Sequence, residues 1–510
     1  MNGADPGTTL PPPETRPVAG DWRRRFLIGV ALFVAAAALW RLQTVVRWQL
    51  TAPFDLVFES PNLATINALR HGVNVYSSSF FDAPPFVFTL YTPLYHLLCA
   101  AMPASATNPF FAGRLIAFVF MMSAVLGVLW VSKPRHWIWI ILVTGLFLLL
   151  HPVSSNLVFL KNDGTALFFS VLAILIVSKA PRTHLRLAAA ALSCVLAIAS
   201  KQVFVAASAA CFVYLLLEQR RDALRFGGYY LLFAAVAAAL AQALWGNGFW
   251  WCVFHAPRMP FSADQFITQW RLMLRQPVFL LLFAAWIVTA AEYLYRRRGR
   301  SLNPFLIYFL CSGVVLLLTV GKPGSSTNYF IEWSLAGVLW LVSILPSSLP
   351  QKINPALLAG LCLAVTLCEL ATATPRDFAL GDPGFIAVRQ QLHEALTQEA
   401  KSLAPRADPL RVLNFAGAST FFDWPGKTSV NDPYLYTLLW EHGILKPDAM
   451  IRELHSQQYQ LVVFRSDAVL APSDRADGMG QIMKSLRESY RLAGYGVFLQ
   501  YWVPLTAAKD

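Results

Sequence analysis

Two carboxylates four residues apart, Asp55 and Glu59, open the first polar stretch after an apolar run, and lysines recur in later polar breaks of the same kind. Glu59 precedes Ser60-Pro61, which reads as an N-cap followed by proline at the first helical position, and Gly72 reads as the residue that stops the helix. A carboxylate beside a helix start meets the positive end of the helix dipole, stays ionised, and is suited to take up a proton. Glu59 is therefore the expected base, with Asp55 as the second candidate. Lys161-Asn162-Asp163, Lys201-Gln202 and the loop from Gly321 through Lys322, Gly324 and Ser325 to Asn328 and Tyr329 carry ammonium, amide and hydroxyl groups of the kind that hold an anionic head group. Bland alternatives stand beside them: a local ion pair for Lys161 with Asp163, and a capped turn for the glycine-rich loop. Lys201 resists such a reading, since an ammonium between two apolar runs needs an anion or a water-filled cavity. Trp245, Trp250, Trp251 and His255, with Arg258, could stack a sugar but read better as interfacial anchors.

The elements that position these groups follow from composition. With 56% hydrophobic and 14% charged residues over 510 positions, the chain is not an ordinary soluble globule but a polytopic membrane protein. The net charge of +13 falls in short arginine clusters between apolar runs, the pattern of positive-inside loops and not of a nucleic-acid stripe. Seven cysteines lie mostly in apolar segments, with no CxxC pair and no metal-ligand spacing. No metal ligands are assigned; no cofactor is certain, and a divalent cation is the one left open. Spans of about 20 apolar residues are expected near 26–46, 112–131, 137–152, 163–179, 186–201, 202–218, 226–244, 277–295, 304–320, 328–346 and 355–373, eleven in all. Residues 1–25 read as a disordered cytoplasmic tail, 26–374 as the membrane domain with a large first outer loop at 47–111, and 375–510 as an extracytoplasmic α/β domain. In that domain Arg411 to Phe415 and Leu461 to Phe464 read as buried strands, Asp448 to Gln458 as a helix and Tyr495 to Val503 as a final strand. The stretch from Tyr91 to Met102 is too short to cross and is expected to be interfacial or re-entrant. A cytoplasmic N-terminus then puts the arginine and lysine clusters on one side and every candidate site residue on the other.

With this order of features, the chain resembles the GT-C superfamily of polytopic glycosyltransferases, the group of protein O-mannosyltransferases and aminoarabinose transferases. The resemblance rests on Asp55-x3-Glu59, Ala68-Leu69-x-x-Gly72-x-x-x-Tyr76, Tyr91-Thr92-Pro93-Leu94, Gly113-Arg114-Leu115, Lys161-Asn162-Asp163, Lys201-Gln202 and Gly324-Ser325-Ser326-x-Asn328-Tyr329, over most of residues 20–350. Asp432-Pro433 looks like the tail of some bacterial members. Many relatives carry adjacent acids in the first loop; here Leu56-Val57-Phe58 separates them. The resemblance implies a multi-pass protein of the cytoplasmic (inner) membrane that moves a sugar from a polyprenyl-phosphate donor to a glycan, lipid or protein acceptor at the outer face. Membrane lipids are its surroundings, and nucleic acid is not among its partners. On that reading Glu59 and Asp55 are catalytic, and Lys161, Asp163, Lys201, Gln202, Lys322, Asn328, Tyr329 and Tyr91 bind substrate. The alternative is a transporter or flippase of a lipid-linked or anionic substrate.

Overall fold

The structure, a computed structural model, describes residues 21–53, 55, 59–105, 107–131, 137–296, 302–348 and 354–372, then 411–415, 427–430, 432–465, 478–495 and 499–505, with a few positions between 391 and 403. Every one of the eleven segments expected to be apolar helices is a helix: Asp21–Thr51, Phe111–Val131, Trp137–Leu149, Asp163–Ser178, His184–Ser200, Ala206–Glu218, Arg220–Trp245, Pro277–Arg296, Pro304–Thr319, Phe330–Ser348 and Pro355–Thr372. Among the described residues four helices are long and apolar enough to cross a bilayer: Trp22–Thr51, Phe111–Val131, Arg220–His255 and Pro277–Arg296. Several others are shorter than a full crossing, and they stop where the chain turns polar. Asp163–Ser178 starts at Asp163, His184–Ser200 ends just before Lys201, and Pro304–Thr319 ends just before Gly321. Their ends thereby bring polar side chains to one end of the bundle.

The first helix starts at Asp21, so Arg23, Arg24 and Arg25 belong to it and not to a tail. Residues 1–20 and the basic positions Lys133, Arg135, Arg297, Arg298, Arg300 and Lys352 lie outside the described residues, as does the expected domain boundary near 375. Between Tyr91 and Met102 the chain makes only the seven-residue helix Leu94–Ala100, about 10 Å long at 1.5 Å per residue, too short to span.

Helix Ser60–Arg70 in the first loop forms as read, with proline in its first turn and Gly72 at φ +71°, a conformation that glycine alone adopts without strain. Its start differs from expectation. Glu59 occupies the capping position, and the Ser60 hydroxyl does not cap but donates to Asp55 Oδ2 at 2.5 Å. Helix Phe111–Val131 is closely approached at Gly113, where a Cβ would meet Leu160 Cδ1, in the bend before Asp163, at 2.7 Å. The Gly113 carbonyl accepts from the Tyr95 hydroxyl at 2.9 Å, which ties the short helix to the bundle.

The C-terminal domain carries a five-stranded sheet made of β1 (Arg411–Phe415), β2 (Lys427–Ser429), β3 (Leu461–Arg465), β4 (Tyr490–Tyr495) and β5 (Leu499–Pro504), in the order β2-β1-β3-β5-β4. The first three are parallel and the last two pairings antiparallel. The expected strands at 411–415 and 461–464 and the helix from Asp448 are present; the single terminal strand expected over 495–503 is instead two strands, β4 and β5. β5 sits between β3 and β4, and the polar residues of Tyr490-Arg491-Leu492 concealed the extra edge strand in the sequence pattern. Side chains alternate as the pleat requires: Leu413, Phe415, Val462, Phe464 and Trp502 face one core, Val412, Leu461, Val463 and Tyr501 the other. The first of those cores is shared with Tyr76, Phe81, Phe86 and Phe88 of the first loop, so the domain is packed onto that loop. Tyr436 in helix Pro433–Glu441 donates to the Phe81 carbonyl at 2.5 Å, and Val430 N–H donates to the Pro85 carbonyl at 2.9 Å.

Candidate active site

Where the shortened helices end, a cavity of about 480 Å³ lies between the bundle, the first loop and helix Pro433–Glu441. All eight residues expected to bind substrate line it: Tyr91, Lys161, Asp163, Lys201, Gln202, Lys322, Asn328 and Tyr329. They come from four separate stretches of chain. Asp163, the first residue of its helix, accepts from Lys201 Nζ at 2.6 Å and from Asn328 Nδ2 at 3.2 and 3.3 Å. The Lys201 ammonium also lies over the Tyr91 and Tyr329 rings, 5.6 and 5.2 Å from their centroids. Lys201 thus finds the anion that its apolar setting demands, and the pair ties the start of helix Asp163–Ser178 to the end of helix His184–Ser200 at the cavity wall.

The bland alternative for Lys161, a local ion pair with Asp163, is not what forms, since Asp163 is taken by Lys201. Lys161 instead donates to Asn156 Oδ1 at 3.3 Å and lies over the Phe159 ring. Burial pushes its ammonium pKa down, against the opposing pull of Asp163 and Glu59. Lys322 makes no ion pair among the described residues. Its loop is held from outside the cavity, with Gln265 Nε2 donating to the Ser325 carbonyl at 2.6 Å and Ser262 N–H to the Gly321 carbonyl at 2.7 Å. Gln202 is positioned by the Leu90 carbonyl, which accepts from Nε2 at 2.8 Å, while its buried Oε1 has no partner among the described residues.

The two carboxylates of the first loop are disposed differently from the sequence expectation. Glu59 does not line the cavity. It is fully buried against Arg114, with Nε to Oε1 at 2.9 Å and Nη2 to Oε2 at 2.5 Å, and its Oε1 also accepts from Leu160 N–H at 2.7 Å. Arg114 in turn donates to the Gln49 and Ala52 carbonyls and stacks on Phe110. A guanidinium 55 residues away claims both oxygens of Glu59 as a bidentate pair, which outweighs the pull of the adjacent helix start. Asp55 supplies the capping that Ser60 was expected to provide. Its carboxylate accepts from Glu59 N–H at 3.0 and 3.1 Å and from Ser60 N–H at 2.8 Å. Burial first, and the Glu59 charge second, raise its pKa, against those hydrogen bonds.

Trp251 does not face the cavity; it stacks on Phe81, centroids 5.0 Å apart, within the packing beneath the C-terminal domain. Trp245 stacks on Phe249 and Trp250 donates to Gln242 Oε1 at 2.6 Å, so these rings serve local packing. Among the described residues no three His, Cys, Asp or Glu side chains are grouped to hold a metal ion. Among the wall residues that the sequence reading did not assign to the site are Asp432 and Tyr434, both at the start of helix Pro433–Glu441. The signal for Asp432 was present, since an acid before proline marks a helix N-terminus. What the sequence does not encode locally is that this helix end abuts the glycine loop.

The fold is similar to that of solved membrane glycosyl-transfer enzymes, the kind of fold that the resemblance drawn from the sequence implies. Among the matching structures are ArnT from Cupriavidus metallidurans bound to undecaprenyl phosphate, with TM-score 0.56 and 14% identity over 95% of this chain and 98% of that one, and the same protein in the apo state, with TM-score 0.57 and 14% identity over 97% and 100%. The Archaeoglobus fulgidus oligosaccharyltransferase in the apo form matches at TM-score 0.50 and 12% identity, over 92% of this chain and 73% of that one. At such identities the likeness is one of fold. No protein-family model matches the sequence, and no curated protein matches it.

Proposed function

We propose that the protein is a membrane glycosyltransferase that moves a sugar from a polyprenyl-phosphate donor to an acceptor at the outer face of the cytoplasmic membrane, with its N-terminus cytoplasmic and its C-terminal domain outside. The observation that carries this reading is the convergence of Lys161, Lys201, Lys322, Asp163, Asn328, Gln202, Tyr91 and Tyr329 on one cavity. Two of those lysines, Lys161 and Lys322, carry no carboxylate partner among the described residues, which suits them to a phosphate. The undecaprenyl phosphate held by the fold neighbour is a lipid of the required kind.

In the proposed reaction the acceptor hydroxyl gives its proton to a carboxylate while its oxygen attacks the anomeric carbon. The bond from that carbon to the phosphate oxygen breaks, and the polyprenyl phosphate leaves with its charge steadied by the lysines. Arg114 holds both oxygens of Glu59, so we place the base at Asp55, which is not itself a wall residue but lies near enough behind the wall for its charge to be felt by Asp432 there. Asp55→Asn should slow transfer of a labelled sugar from an undecaprenyl-phosphate donor by about 10²–10⁴-fold, the range of general-base catalysis, while leaving binding of undecaprenyl phosphate intact. Normal turnover in this variant would remove Asp55 from the chemistry. A transporter would instead move lipid-linked sugar in proteoliposomes that contain no acceptor, and the clustering of the site residues at one end of the bundle favours the transferase.

A further inference from the structure

Resting on the transferase reading, we propose that Asp432 is a specificity-determining residue: the C-terminal domain places its carboxylate in the cavity to accept hydrogen bonds from sugar hydroxyls and to turn the phosphate of the substrate towards the lysines. The placement is rigid. Asp432 caps helix Pro433–Glu441, its Oδ1 accepting from Leu435 N–H at 3.0 Å. Tyr434 on the same turn approaches Gly324 of the glycine loop. Val430 and Tyr436 on either side are hydrogen-bonded to Pro85 and Phe81 of the first loop.

Capping uses only one of the two carboxylate oxygens. Oδ2 has no partner among the described residues, and no cation there is paired with Asp432. This contrasts with Asp163, the other carboxylate on the wall, which Lys201 and Asn328 occupy. A carboxylate with a spare oxygen in a cavity repels phosphate and accepts from hydroxyls. Lys161 and Lys322 have the opposite preference. A ligand with an anionic phosphate and a hydroxyl-rich ring satisfies both only in one orientation, ring to Asp432 and phosphate to the lysines. Burial, with the Asp55 charge adding to it, raises the Asp432 pKa to about 6 against the lowering effect of the Leu435 N–H.

The hydroxyls could come from the donor sugar or from a glycan acceptor, and the test separates them. The full-length protein in detergent is compared with Asp432→Asn and Asp432→Ala, using undecaprenyl phosphate alone and undecaprenyl-phosphate-linked hexoses, pentoses and aminopentoses, with KM and kcat read in a transfer assay. Asparagine keeps the amide oxygen that caps the helix and removes only the charge. Asp432→Asn should bind undecaprenyl phosphate within about twofold of the wild type, while KM for the sugar-bearing substrate rises tenfold or more. A rise confined to the donor assigns the contact to the donor sugar, and one confined to the acceptor assigns it to the acceptor. If Asp432→Asn keeps both KM values and only Asp432→Ala fails, Asp432 is a cap and the proposal is overturned. If the wild type itself transfers none of these sugars, the transferase reading falls first, and the proposal with it.

Discussion

Two charged clusters lie close together in this protein and are built on opposite principles. The pair behind the first loop, Glu59 and Arg114, is saturated: the Glu59 oxygens are taken by Arg114 and Leu160 N–H, and Arg114 spends a further nitrogen on two backbone carbonyls. The cluster on the cavity wall is left incomplete, with Lys161, Lys322 and one oxygen of Asp432 facing open volume. Buried charges cost several kcal/mol each unless fully paired, so the saturated set suits a scaffold and the incomplete set suits a site that a ligand completes. Glu59, the acid beside a helix start in the sequence, belongs to the first set. Proximity to a dipole says where a carboxylate would be ionised, not whether it is available.

Breaking the saturated cluster should have the largest effect. Arg114→Leu leaves Glu59 buried without its partner and should lower stability by about 3–5 kcal/mol, read as a loss of folded protein or a fall in the thermal midpoint in detergent. A near-normal midpoint would return Glu59 to candidacy as the base. Breaking the incomplete cluster should do the reverse, sparing the fold and costing the ligand. Lys322→Met is expected to weaken undecaprenyl phosphate binding by about 1–3 kcal/mol while moving stability by no more than about 0.5 kcal/mol. Equal losses in binding and stability would make Lys322 part of the scaffold.

The smallest effect sharpens the comparison. Burial raises the Asp432 carboxyl from 3.8 to about 6, so the folded chain holds this proton more tightly than the unfolded chain across that window. Stability therefore falls as pH rises from about 4 through about 6, and the deficit is complete above it. Asp432→Asn keeps the cap and removes the titration. Above pH 6 it should be more stable than the wild type by about 1–2 kcal/mol, with the difference vanishing below pH 4. Thermal unfolding across pH checks this, and a difference constant with pH would point to packing instead of charge.

Much of the architecture was legible in the sequence because it depends on local composition. Apolar runs of helical length located eleven helices, and Pro61 and Gly72 bracketed the first-loop helix. Lys201 stood out because an ammonium between two apolar runs needs a reason to be there, and Lys161 and Lys322 because they sit among amide, acidic and hydroxyl groups in polar breaks of the chain. β4 was not legible, since its identity as a strand comes from pairing with β5 and not from its own half-polar pattern.

By itself the sequence determined the helical segments, the polar breaks between them and the residue types at those breaks. Only the tertiary structure decided which charges meet. Arg114 takes Glu59 and Lys201 takes Asp163, over separations of 55 and 38 residues, because helix packing fixes which side chains come within 3 Å. Asp432 joins the same cavity because the C-terminal domain shares a hydrophobic core with the first loop. Spare hydrogen-bonding capacity, which separates site from scaffold here, is a property of a group's three-dimensional neighbours, and no spacing along the chain encodes it.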